Sequence, residues 1–282
     1  MSNYGTIIIS YGRSERLKTF EWMNKKGWAG DIVILIDDKD RQGNWYRKNY
    51  GDIVEVFSKE EMREKVDIGD NFESNNAAIL ARMATRELAK SKRWDYFFVF
   101  DDDVTDLTIS WCDENEVHRK AKSIKNVNAW AELLLKYIEV LGFEALGFDT
   151  VGTLFGGAGA KTAHYFWRYR FAQAYLQKTE AEINMRGRSQ EDLTTSAMLM
   201  MECRKVASLG AARIITCAVE SIKGGMTEEY KGMGDIVKNI YPVMYVPSVF
   251  RMILLRNAEK GYRTHIKRFV KYSDPKIIRK DD

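Results

Sequence analysis

The amino-acid sequence predicts an α/β protein with a mostly parallel central sheet flanked by helices, and three observations carry that expectation. Short β-rich runs alternate with stretches of helical periodicity through the first half of the chain. One of those runs, Tyr96 to Phe100, is wholly apolar, the pattern of a strand buried on both faces. It passes without a break into Asp101, Asp102 and Asp103. In open α/β sheets the ligand crevice lies just past the carboxyl ends of such strands, so three carboxylates are expected there.

Taken in order, the clearest strands are Thr6 to Ser10, Asp31 to Ile36, Ile53 to Phe57 and Tyr96 to Phe100. Glu15 to Lys26, Ser74 to Lys92 and Val127 to Leu141 have helical spacing between them, with Ser74 and Asn126 placed to cap the last two. After residue 150 the pattern loosens into a glycine-rich stretch at Gly152 to Gly159, an aromatic-basic stretch at His164 to Arg170, and a helix beginning near Ser189. Neither an internal repeat nor a long linker is evident. The 282 residues are read as one large globular unit, a core over residues 1–210 and a part over 211–282 that completes the fold and ends in a basic tail.

Composition narrows the class. No run of about 18 uncharged apolar residues occurs, and residues 1–9 lack a basic segment followed by an apolar one of signal length. The best membrane candidate, Tyr241 to Leu255, is interrupted by Pro242, Pro247 and Arg251. A soluble cytoplasmic protein without a membrane partner is expected. Cys112, Cys203 and Cys217 form no CxxC pair and are odd in number, so they read as core thiols rather than a disulfide framework or zinc knuckle. The net charge of +4 is concentrated late. From Arg251 to Lys280 the basic residues Arg251, Arg256, Lys260, Arg263, Lys267, Arg268, Lys271, Lys276, Arg279 and Lys280 face only Glu259 and Asp274, with Tyr262, Phe269 and Tyr272 interleaved. That mixture suits a nucleic-acid backbone, and equally a solvated helix whose long cationic stems cover apolar surface.

Packed carboxylates repel one another and resist desolvation, so Asp101-Asp102-Asp103 reads as a DxD-type site for a hard divalent ion, Mg2+ or Mn2+. The alternative is an acidic turn that caps the next element. The first strand ends in Ser10-Tyr11-Gly12-Arg13 and the second in Asp37-Asp38, and in a parallel sheet both would open on the same crevice. Ser10, Gly12 and Arg13 could meet a nucleotide, and Asp37 or Asp38 a ribose or base edge; each loop taken alone also reads as an ordinary turn. Gly156 to Thr162 fails as a phosphate loop, because Ala160 and Phe155 stand where glycines are required. The stretch Lys161 to Arg170, with Tyr165, Phe166, Trp167 and Tyr169, could stack on an exposed base or fill a core.

A first strand ending in Ser-x-Gly-Arg, a second ending in Asp, Arg82 in a helix and a strand entering Asp101-Asp102-Asp103 together resemble a GT-A glycosyltransferase, a Rossmann-like fold. With Gln190-Glu191-Asp192 late in the chain and a basic end, the sequence resembles more narrowly the phage TET-associated glycosyltransferases. The GT-A resemblance covers roughly residues 4–200 and the tail only weakly. It implies sugar transfer from a nucleotide sugar, a UDP-sugar first, to hydroxymethylated pyrimidines in DNA, in the host cytoplasm if phage-encoded. It further implies that Asp101 and Asp103 carry Mn2+ or Mg2+ against the donor diphosphate, with Asp102 at the ribose or a water. Arg82 and Lys161 are candidates to assist, each of them otherwise a surface cation.

The same resemblance makes Asp192 the base for the acceptor hydroxyl, with Glu191 the second choice. Ser189-Gln190-Glu191-Asp192 also reads as a capping box, in which Asp192 would be structural. His265 becomes a candidate third metal ligand, against a phosphate contact or a plain surface residue; His118 and His164 read as structural. Two other functions stay open: transfer to a saccharide or protein acceptor, and nucleic-acid binding without catalysis.

Overall fold

The computed structural model describes residues 3–72, 77–112, 118–150, 167–168, 174–217, 227–257 and 261–268. Strand and helix alternate first, through β1 (Tyr4–Ile9), α1 (Lys18–Lys26), β2 (Asp31–Asp37), α2 (Gly43–Tyr50), β3 (Val54–Phe57), α3 (Lys59–Lys65), α4 (Ala78–Ser91) and β4 (Tyr96–Asp101). Next come β5 (Val104–Cys112), β6 (His118–Ser123), α5 (Val127–Leu141), β7 (Ala145–Thr150), β8 (Trp167–Arg168) and β9 (Tyr175–Lys178). The chain continues through α6 (Glu191–Met201), β10 (Val206–Thr216), α7 (Thr227–Tyr245), β11 (Phe250–Asn257) and β12 (Gly261–Arg268).

A ten-stranded sheet runs in the order β3-β2-β1-β4-β9-β7-β10-β5-β6, with β8 beside β10. β3, β2, β1 and β4 pair in parallel, as do β7 and β10, whereas β9 is antiparallel to both its neighbours and β5 to both of its own. Most strands therefore point the same way, which delivers the carboxyl ends of β1, β2 and β4 to one rim. The wholly apolar run is explained by its two neighbours. Phe98 and Phe100 pack into one core layer with Trp28, Trp130 and Phe148, while Phe97 and Val99 pack into the layer on the other face with Ile79, Leu80 and Trp94. Gly5 on β1 completes this fit, since a Cβ there would stand 2.2 Å from the Trp94 ring.

Local chemistry explains where the elements differ from expectation. α1 starts at Lys18 rather than Glu15, because Arg13 to Arg16 form a turn, Arg16 N–H bonding to the Arg13 carbonyl at 3.0 Å, while the Ser14 N–H is taken by Gln42 Oε1 at 2.8 Å. α4 starts at Ala78 behind an extended Ala77 without a side-chain cap, and Ser74 lies outside the described residues. Asn126 does cap α5, accepting the Ala129 N–H at 3.0 Å. Asn126→Ala is expected to lower the unfolding free energy by about 1 kcal/mol in urea denaturation. The basic tail begins with the antiparallel β11–β12 pair, so the surface-helix alternative does not hold for residues 250–257 and 261–268. Cys203 is exposed and Cys217 half-buried, so neither is the core thiol expected; the side chain of Cys112 lies outside the described residues.

The position expected to divide core from completing part, residue 210, falls within β10. α7 is held to the core by a buried cation. Arg188, fully buried, donates from Nε and Nη2 to Asp70 at 2.8 and 2.6 Å, and the Tyr241 hydroxyl donates to the same carboxylate at 2.6 Å. Burial alone would push the Asp70 carboxyl up, but Arg188 and Tyr241 outweigh it and hold it at about 2. Among the described residues no helix is long and apolar enough to cross a membrane.

Candidate functional site

The acids at the end of β4 are fixed from below by α1. Thr19, fully buried in the first turn of α1, donates its hydroxyl to the Asp101 carbonyl at 2.5 Å and its N–H to the Asp102 carbonyl at 3.2 Å. Its hydroxyl oxygen accepts the Val104 N–H at 3.0 Å. The helix thus satisfies one of its own unpaired first-turn amides while setting the turn that fans three carboxylates apart.

The three acids have different fates. Asp102 is 3% exposed and turned toward β1, where it accepts from Ser10 Oγ at 2.5 Å and pairs with Arg13 Nη1 at 2.5 Å. Tyr46 of α2 completes that cluster, accepting the Arg13 N–H at 2.9 Å and lying 2.6 Å from Ser10 Oγ. Because the Ser10 proton is committed to Asp102, the Tyr46 hydroxyl donates to Ser10. Burial raises the Tyr46 phenol, keeping it neutral in that role. Gly12, at φ 66°, takes the left-handed turn that lets its N–H reach Asp40 at 2.7 Å.

Asp101 faces α4. The expectation that Arg82 lies either in the crevice or on the surface resolves inward: it is 7% exposed, with Nη2 at 3.3 Å from Asp101 and Nε at 3.1 Å from Glu191. Burial opposes its charge, but Asp101 and Glu191 more than restore it. The contact to Glu191 is an ion pair without hydrogen-bond alignment, and Nη1 is buried without an acceptor among the described residues. Asp103 is half-buried; burial first, then the charges of Asp101 and Asp102, push its carboxyl up to about 6.

Glu191 and Asp192 open α6 on the same rim. Glu191 is 6% exposed and its carboxyl is raised to about 7, by burial first and by Asp192, with Arg82 opposing. The Asp192 charge reaches Arg82, Asp101 and Glu191 alike, which places it among them. The capping box does not form. Gln190 is the cap residue, in a left-handed conformation without a side-chain cap bond, and Ser189 Oγ is buried without a partner among the described residues.

At the end of β2, Asp37 is buried against Lys59 Nζ at 3.0 Å, and Asp38 accepts the Lys59 N–H at 3.1 Å. Asp37 also accepts the Lys39 N–H at 2.8 Å, the turn-forming role that was the alternative reading. Lys59 lies 4.6 Å from the centre of the Tyr11 ring, so the first two strand ends meet through it.

His265 is not brought to these acids. It pairs with Ile253 across the hairpin and its side chain is exposed, while its neighbours Thr264 and Ile266 turn inward. No group of three or more His, Cys, Asp or Glu side chains is arranged to hold a metal among the described residues. Lys161, His164 and the glycine-rich stretch lie outside them, as do the side chains of His118 and Trp167. Thr19, Tyr46 and Lys59 were not singled out from sequence. Each sits inside or just at the start of a helix with no motif around it, and only the sheet order brings them to the rim.

A family model described as TET-Associated Glycosyltransferase matches residues 4–224. A search of curated proteins found no match. Among solved structures, glucosyl-3-phosphoglycerate synthase from Mycobacterium tuberculosis in complex with Mg2+ and UDP is similar at 9% identity and a TM-score of 0.47, over 95% of this chain and 88% of that one. Mannosyl-3-phosphoglycerate synthase from Rubrobacter xylanophilus is similar at 12% identity and a TM-score of 0.45, over 95% and 87%. At that level the likeness decides nothing about the donor, metal or acceptor of this chain.

Proposed function

The chain belongs to the TET-associated glycosyltransferase family, and from that premise we propose that it transfers a sugar from a nucleotide sugar, a UDP-sugar first, to the hydroxyl of a hydroxymethylated pyrimidine in DNA. The observation that carries the reading is the single rim on which Asp101, Asp103, Arg82, Glu191 and Asp192 meet. Asp101 and Asp103 fit Mg2+ or Mn2+. They are hard oxygen donors, the like-charge burden on Asp103 is what a cation relieves, and such ions typically take one or two carboxylates with phosphate and water filling the rest. When bound, the ion neutralises charge on the departing diphosphate.

The chain's own groups divide the remaining work. Arg82 offers a buried Nη1–H that has no acceptor among the described residues and is suited to a phosphate oxygen. Arg13 and Ser10 fix Asp102 and keep the floor of the donor pocket rigid, with Tyr11, Lys59 and Asp37 at its base-side edge. Glu191 is paired with Arg82, and Asp192, which opens α6 on the same rim, is the carboxylate that the family resemblance assigns to the acceptor hydroxyl.

The test is mass spectrometry of nucleosides from hydroxymethylated and unmodified DNA after incubation with the protein, Mn2+ and a panel of nucleotide sugars. A hexose-sized gain confined to the hydroxymethyl base is expected; donor turnover with no gain on DNA would place the acceptor among saccharides or proteins. In the same assay Asp192→Asn is expected to slow transfer about 10²-fold at saturating substrate. Glu191→Gln should act more through donor affinity, because it removes the partner of Arg82 rather than the base.

A further inference from the structure

We propose that the outward face of the β11–β12 hairpin is a docking surface for the phosphate backbone of duplex DNA, built from Arg251, His265 and Lys267. The proposal rests on the DNA-acceptor reading and says which part of the molecule holds that acceptor. Register settles the face. Arg251 pairs with Lys267 and Ile253 with His265, and directly paired residues of an antiparallel ribbon project to the same side. Phe250 and Ile266 project to the other side and are buried against Ala197, Val246 and Val249, so the ribbon lies on α6 and α7 by that face. Arg251, His265 and Lys267 are exposed.

Charge identifies the occupant. By register the outward face carries Arg251, Arg263, His265 and Lys267 beside Ile253 and Leu255 and no acid, whereas Arg256 and Arg268 pair with Tyr262 and Phe250 on the other side. A surface this one-sided suits a polyanion, and a two-stranded ribbon matches the width of a DNA major groove.

The ribbon is also joined to the catalytic rim. Gln190, directly before Glu191 and Asp192, donates from Nε2 to Asn239 Oδ1 at 2.9 Å. Asn239, 6% exposed on α7, donates from Nδ2 to the carbonyl and the hydroxyl of Thr264, each at 3.1 Å. Thr264 stands next to His265 in β12, so the cations and the candidate base belong to one hydrogen-bonded unit. Backbone contacts of this kind set the register of a duplex without reading its sequence.

The experiment compares the full chain with Arg251→Ala/Lys267→Ala, using a hydroxymethylated duplex in fluorescence anisotropy across a salt series, together with transfer kinetics. Lys25→Ala/Lys136→Ala, at exposed positions on α1 and α5, is the charge-matched control. The expected result is at least about tenfold weaker binding near 0.1 M salt and a log–log salt slope smaller by about 2, with the control unchanged. The KM for DNA should rise while kcat at saturating DNA is kept, which a loss of fold would not produce. Unchanged binding by Arg251→Ala/Lys267→Ala overturns the surface and leaves the DNA acceptor standing. A native chain that neither binds nor glycosylates DNA, even at low salt, overturns both. If that chain is instead held by phosphatidylserine vesicles through the same two residues, the face belongs to a membrane contact.

Discussion

Asp103→Asn is expected to reduce sugar transfer on the order of 10³-fold and, in the same protein, to raise the stability of the metal-free chain above about pH 6. Both effects come from one carboxylate. In the folded chain its pKa stands at about 6, against 3.8 for an ordinary Asp, because burial and then the charges of Asp101 and Asp102 disfavour its ionised form. As pH rises from about 4 to 6 the unfolded chain gives up this proton first, so the Asp103 contribution makes folding less favourable across that window. Asn carries no such proton and cannot ionise, so that part of the fall is absent in the variant. Thermal melts at pH 4 and pH 8 without metal should converge at the low pH and favour the variant at the high one.

Adding Mn2+ reverses the comparison. A cation that binds the folded state raises its melting temperature by mass action, and it should do so for the native chain far more than for Asp103→Asn. A variant that melts lower than the native chain at pH 8 without metal would remove the like-charge account of the site. One that keeps full activity would remove Asp103 from it.

The architecture was legible where period and punctuation agree. A run of alternating layers such as Phe97 to Phe100 admits only a doubly covered strand, and the acids that stop it mark the rim whatever else the chain does. Asn126 was legible for a local reason, since a cap acts three residues away. The partners of the acids were not. Whether Asp102 or Asp103 turns toward Arg13 depends on the Thr19 bonds that set the turn, and α1 reaches β4 through a sheet order the sequence does not spell out. Ser189-Gln190-Glu191-Asp192 shows the opposite failure. Its local pattern is that of a capping box, yet a buried Arg82 draws Glu191 inward and Gln190 takes a left-handed conformation, so tertiary charge overrides the local preference. The basic tail reads as cationic in any conformation; its hairpin register sorts those cations onto faces.

Arg82→Met is expected to cost about 3–5 kcal/mol of stability near neutral pH and to abolish activity with it. Arg82 pairs with both Asp101 and Glu191 and is the largest charge holding either carboxyl down, and both acids are already raised by burial. Without Arg82 their folded pKa values rise further above the unfolded ones. The unfolded state then sheds protons first over a wider range, so the penalty grows with pH, smallest near pH 4 and largest above pH 7. Glu191→Gln alone removes one of the two buried charges and leaves Arg82 with Asp101. The two substitutions therefore should not add: Arg82→Met/Glu191→Gln is expected to be more stable at pH 8 than Arg82→Met, because the second change deletes a charge the first has stranded. Urea denaturation of the four proteins at pH 5 and pH 8 measures this coupling directly. Strict additivity at both pH values would mean that Arg82 and Glu191 are neighbours without being partners, and Glu191 would then return as a rival to Asp192 for the acceptor proton.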